Sequence, residues 1–212
     1  MKRETIFILV IAVAIGLVAS TTQAMILDSI NADKTALGGE VMNMGEIGWV
    51  YTPQFDYVLT GVETKFGNDS SPPIFDPGLE IQLDIYDGPP ATGGSLLRSA
   101  TFNLLYWNTF YEATFSELNM ISGEDYFIGF RTLTQYTAQY SMCCNFADSG
   151  DSLPCYYGTD NSGAYSIQTS NDFYLHPILR FEGVPEPATL LLFGLGGLIL
   201  SRWRQFLANL GC

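Results

Sequence analysis

The residues best placed to do chemistry in this 212-residue chain are three cysteines, a scatter of acids and a set of aromatic rings. Cys143, Cys144 and Cys155 share one polar stretch, 141–158. In an oxidising compartment they point to a disulfide between Cys155 and either Cys144 or Cys143. Such a small loop would stabilise the fold by roughly 2–3 kcal/mol in the chain-entropy picture. A bond between the adjacent pair would be strained. Zinc needs a fourth ligand, and the only histidine is His176, so no metal site is expected from the cysteines. Asp148, Asp151, Asp160 and Asn161 flank the cysteines, and oxygen ligands of this kind suit calcium. Their spacing does not match an Asp-x-Asp-x-Asp-Gly loop, and a solvated acidic loop is the plainer reading, so no cofactor is required.

Trp49, Tyr51, Tyr57, Tyr106, Trp107 and Tyr111 are rings that could stack on the apolar face of a sugar, with Trp49 and Trp107 the leading candidates. The competing expectation is that most of them fill a core. Catalytic machinery is not legible. There is no Gly-x-Ser-x-Gly elbow, no His-Glu-x-x-His and no phosphate loop, and His176 stands alone before Pro177. Acids are numerous enough for a glycosidase pair, but number alone is no argument. The chain is therefore expected to be no enzyme.

The C-terminal end is more specific. Val184-Pro185-Glu186-Pro187 runs directly into an apolar stretch, Ala188 to Leu200, closed by Ser201-Arg202-Trp203-Arg204. Two prolines withhold backbone donors and favour an extended, protease-accessible strip, and Pro187 suits the first turn of a following helix. The apolar run must leave water, Arg202 and Arg204 form a basic stop flank on the cytoplasmic side, and Trp203 suits the headgroup layer. The run is short for a lasting span, which favours a transient signal over a permanent anchor.

This three-part order resembles the PEP-CTERM sorting domain of Gram-negative environmental bacteria, over about Val184 to Arg204. The resemblance implies recognition by a membrane-embedded sorting protease, an exosortase, which cuts near the motif and passes the body towards the cell surface. It also implies a link to exopolysaccharide or biofilm matrix. Gln205 to Cys212 extend past the basic cluster, a departure that touches only the boundary of the tail. Cys212, at the last position, cannot be a prenylation box.

The N-terminus agrees with export. Lys2 and Arg3, the apolar stretch Ile6 to Val18 and the small residues up to Ala24 have the order of a cleavable secretory signal, with signal peptidase cutting after Ala24. The divisions are then a signal peptide (1–24), a body (25–183), the sorting motif (184–187), a short transmembrane helix with its basic flank (188–204) and a cytoplasmic tail (205–212). The inner membrane is a transient station before the outer membrane, the cell surface or secretion. The chain carries 22 acids and 9 bases, and with the ends removed 20 acids and 5 bases remain. That surface repels phosphate backbones, so nucleic acid is no partner, while polysaccharide is compatible.

The body must position whatever it binds, and its pattern is β. Leu79 to Tyr86 sets acids and an amide on one face and aliphatics on the other, and Asp87-Gly88-Pro89-Pro90 ends it. Alternating segments are also expected at 57–66, 96–102, 111–115, 126–131, 135–141, 164–167 and 178–181, with one weak helical turn around 32–38. Short strands between turn signals predict an antiparallel β-sandwich, jelly-roll-like, flanked by the signal helix and the short transmembrane helix. Carbohydrate binding is the alternative to a non-enzymatic surface or matrix protein.

Overall fold

The alternation of Leu79–Tyr86 becomes a strand in which Ile81, Leu83 and Ile85 all point into the core. This is so in a computed structural model that describes residues 24–36, 45–67, 79–106, 108–133, 146–158, 162–168 and 175–185. Twelve strands are formed among them. They are β1 (Met25–Ile30), β2 (Glu46–Tyr51), β3 (Tyr57–Lys65), β4 (Leu79–Tyr86), β5 (Leu96–Leu104) and β6 (Phe110–Met120). Then come β7 (Tyr126–Thr132), β8 (Phe146–Ala147), β9 (Cys155–Gly158), β10 (Ile167–Gln168), β11 (His176–Pro177) and β12 (Leu179–Pro185). The only helical element among the described residues is a single 3-10 turn, Pro90–Thr92, in the β4–β5 connection.

The strands form a four-stranded sheet, β1-β12-β3-β6, and a six-stranded sheet, β10-β9-β2-β7-β4-β5. A short ribbon pairs β8 with β11. Four antiparallel pairings are nested in the chain: β1 with β12, β2 with β7, β3 with β6, and β4 with β5. The inner faces of the two large sheets share one core. Leu59, Val62, Leu179 and Phe181 come from the first sheet, and Trp49, Tyr51, Ile81, Leu83, Ile85, Ile128 and Phe130 from the second. Tyr51 and Phe181 stack across the gap with centroids 4.0 Å apart. The Tyr51 hydroxyl is not abandoned in this apolar layer, since it donates to Asp28 Oδ2 at 2.7 Å and lies 3.2 Å from the Tyr57 hydroxyl. Burial holds both phenols well above their ordinary range.

Met25–Gly183 forms one compact unit. The other unit, Met1–Ala24 with Val184–Cys212, is described only at Ala24, Val184 and Pro185. The segments expected as a signal helix and a short transmembrane helix fall in 1–23 and 188–204, outside the described residues. Among those that are described, no helix is long and apolar enough to cross a membrane. Several expected bounds need correction: the strand expected at 111–115 is Phe110–Met120 and that at 96–102 runs to Leu104, while the segment 135–141 falls outside the described residues. The segment 164–167 contributes only its last residue to a strand, because Tyr165 sits at φ 43° and breaks the extended backbone. The strand expected at 178–181 runs on to Pro185. Of the turn expected around 32–38, residues 37–38 lie outside the described residues, and within the rest Lys34 N donates to Asn31 O at 2.9 Å.

Candidate functional site

Strand β12 carries the first half of the sorting motif into the fold. Leu179, Phe181 and Gly183 point inward, Arg180 and Glu182 outward, and Val184 and Pro185 end the strand half-buried. It lies between β1 and β3, so both of its hydrogen-bonding edges are used. Its register puts Met25 opposite Gly183, so the first and last residues of the body lie side by side. Gly183 is needed for a close approach: a Cβ there would come within 2.2 Å of the Val58 carbonyl oxygen. Glu186, Pro187, Arg202 and Arg204 lie outside the described residues.

Beside β12, the outer face of the four-stranded sheet gathers charge. Glu63 and Glu112 are cross-strand partners, and Arg180 Nη1 donates to Glu63 Oε2 at 3.1 Å. The Arg180 guanidinium rests 3.4 Å from the centroid of Phe110, a cation–π contact shared with Lys65. Glu182 is pushed up from 4.5 to about 7. Partial burial is the main cause, followed by the charge of Glu112, a hydrogen bond with Glu112 and the charge of Glu63, with Arg180 pulling the other way. A carboxyl whose folded pKa is raised binds a proton more tightly folded than unfolded. Its contribution to stability is therefore full below pH 4.5 and is lost as pH rises through about 7. Urea midpoints at pH 5 and pH 8 should differ more in the wild type than in Glu182→Gln, with the variant relatively stabilised at pH 8. Equal differences in both proteins would refute this.

The outer face of the six-stranded sheet holds a second polar layer, covered by the segment 162–166. Three rows cross β2, β7 and β4: Glu46–Arg131–Gln82, Gly48–Gly129–Asp84 and Val50–Phe127–Tyr86. The middle row lacks side chains at Gly48 and Gly129, and two rings take the space: Tyr165 lies over Gly129 and Phe127 over Gly48. A Cβ on Gly129 would lie 2.5 Å from the Tyr165 ring. Tyr165 packs edge-on against Phe127, with centroids 4.9 Å apart, and its hydroxyl is buried without a hydrogen-bond partner. Glu46, 1% exposed, fastens the covering segment. Its Oε2 accepts from Gly163 N and its Oε1 from Tyr165 N, each at 2.6 Å. Asp84, also 1% exposed, accepts from Arg131 Nε at 2.9 Å, Ser99 Oγ at 2.8 Å and Gln82 Nε2 at 2.6 Å. These buried acids went unread in the sequence. The signal that could have found them is Gly48 and Gly129, two glycines that break the alternation of neighbouring strands.

The residues singled out by type and spacing are not brought together. Trp49 is a correction: it is fully buried, edge-on to Phe130, and presents no face to a sugar. Central in its sheet, it is covered by the opposite sheet, so the core claims the ring. Trp107 lies outside the described residues, while its neighbour Tyr106 is 67% exposed. Cys155 is buried in β9 opposite Trp49, and burial raises its thiol pKa. Cys143 and Cys144 lie outside the described residues, among which no disulfide is seen. Asp148 and Asp151 are exposed after β8, and Asp160 and Asn161 are again outside. Among the described residues no three His, Cys, Asp or Glu side chains converge as a metal site. His176 sits in β11 with Nδ1 buried and without a hydrogen-bond partner.

Compared with known families, residues 183–205 match the PEP-CTERM protein-sorting motif. No curated protein matches the chain. The matched segment begins at Gly183, the last residue of β12 that pairs with β1. The chain thus carries a signal for processing by an exosortase, a membrane sorting enzyme, on a route of export towards the cell surface.

Proposed function

We propose that this bearer of the PEP-CTERM motif is a non-enzymatic surface or extracellular-matrix protein whose β body is the cargo, linked to exopolysaccharide or biofilm. The observation that carries the reading is the motif at 183–205, continuous with the last strand of an acidic body. The body itself reads as a jelly roll. The support is the nesting of β1–β12, β2–β7, β3–β6 and β4–β5, the order produced by wrapping one long hairpin around a core. The non-enzymatic part is supported by the sequence, in which no catalytic motif is legible.

Deleting Val184 to Pro187 should leave the body at the inner membrane, unprocessed and absent from the surface, when the cell is fractionated. Normal surface display of the deleted form would sink the sorting reading. Turnover of any polysaccharide, abolished by changing one carboxylate, would overturn the non-enzymatic one.

Carbohydrate binding is a second reading, favoured by the 67% exposure of Tyr106 next in sequence to Trp107. A glycan array on the body, with and without calcium, decides it: silence at millimolar sugar would remove this reading.

A further inference from the structure

We propose that the fold itself confines the sorting cut to the C-terminal side of Pro185, so that β12 stays whole in the delivered protein. The inference rests on the reading of the motif as a processing signal. Proteins that capture an extended peptide do so largely through its backbone, hydrogen-bonding N–H and C=O groups as a sheet edge does. A peptide bond inside a paired strand offers those groups only after the strand has left its sheet.

β12 is poorly placed to leave. On one side it pairs with β1 from Met25↔Gly183 to Ile30↔Leu179. On the other side it neighbours β3, where Thr60 Oγ1 donates to Glu182 O at 3.3 Å and Thr64 Oγ1 to Ile178 O at 2.8 Å. Leu179 and Phe181 are fully buried, so withdrawing the strand opens the core shared by both sheets. Gly183 lies so close to the Val58 carbonyl that even one added carbon would not fit. An opening of that extent approaches global unfolding and is populated at a fraction on the order of 10⁻³ to 10⁻⁶.

Proline makes two bonds harder to capture through the backbone. In Val184–Pro185 and Glu186–Pro187 the leaving nitrogen belongs to a ring with fixed φ and no N–H. The first bond beyond β12 is Pro185–Glu186. Hydrolysis there breaks one C–N bond. Water supplies the oxygen that completes the new carboxyl group, and its proton goes to the departing amine.

The test is the C-terminal peptide of the delivered protein, read by mass spectrometry after expression of the full chain beside an exosortase. The expected last residue is Pro185 or a later one, with the apolar run gone. A C-terminus at Val184 or earlier overturns the inference while leaving the sorting reading intact. A delivered protein that keeps Trp203 overturns the sorting reading, and the inference with it. A second arm ties β1 to β12 with Ile26→Cys and Glu182→Cys, which are register partners. If β12 need not open, the oxidised pair is cut at the same residue with less than about a twofold change in rate. Loss of cutting in the tied protein, restored by a reductant, overturns the proposal.

Discussion

Trp49→Ala is expected to cost the body about 3 to 5 kcal/mol, the range for emptying a buried aromatic site. Against a total stability of about 5 to 15 kcal/mol, that leaves a protein close to unfolding at ordinary temperature. The ring is fully buried, with Ile128 opposite on β7 and Cys155 opposite on β9, and Phe130 meets it edge-on at 6.5 Å. Both neighbouring strands are hydrogen-bonded in place, so the cavity has little freedom to collapse. Trp49→Phe is the contrast. It keeps an aromatic ring and removes Nε1, a donor buried without a partner, so its cost should stay below about 1.5 kcal/mol. Urea melts read both, as shifts of midpoint at constant slope. If Trp49→Ala melted with the wild type but lost affinity for a glycan, the ring would belong to a binding face, and its place in the core would be wrong.

That residue also marks where the sequence stops being legible. β4 could be read to the residue, Leu79 to Tyr86, because its aliphatics alternate cleanly and an Asp-Gly-Pro-Pro turn follows. β2 could not, because it is central and buried on both faces, so polar and apolar residues do not alternate along Glu46–Tyr51. The sequence pattern stops β12 short because Gly183 and Pro185 look like punctuation. In the fold Gly183 serves a close approach to β3 and Pro185 is a strand end. The buried acids were invisible for another reason. Asp84 draws on Arg131, 47 positions away, and Glu46 on the Gly163 and Tyr165 amides, 117 and 119 positions away. No local pattern announces partners at that separation, so an acid in a strand reads as an acid on the surface. The sorting motif was legible because a linear signal must be readable as a peptide, without the fold.

The second large effect is expected at one of those hidden acids. Glu46→Ala removes two short bonds between a carboxylate and backbone N–H groups and leaves the Tyr165 N–H buried with nothing to accept it. Hydrogen bonds to a charged partner contribute about 1.5 to 3 kcal/mol each, so the two together should cost roughly 3 to 6 kcal/mol. The loss should be felt first in the segment that Glu46 fastens. Tyr165 already holds φ 43°, an unfavourable angle for a residue with a side chain, and tolerates it because its amide is clamped and its ring packs over Gly129 against Phe127. Released, the segment should exchange its amide hydrogens faster by a larger factor than β3 and β6, which lie in the other sheet. Glu46→Gln keeps one acceptor but turns an NH2 group towards the other N–H, so it should fall between wild type and alanine. Tyr165→Phe separates clamp from plug: its hydroxyl has no partner, so deleting it should cost almost nothing while the ring still covers Gly129. Hydrogen exchange resolved to the segment 162–168, alongside urea melts, distinguishes these outcomes. Wild-type protection of that segment in Glu46→Ala would show that the ring, and not the carboxylate, holds it down.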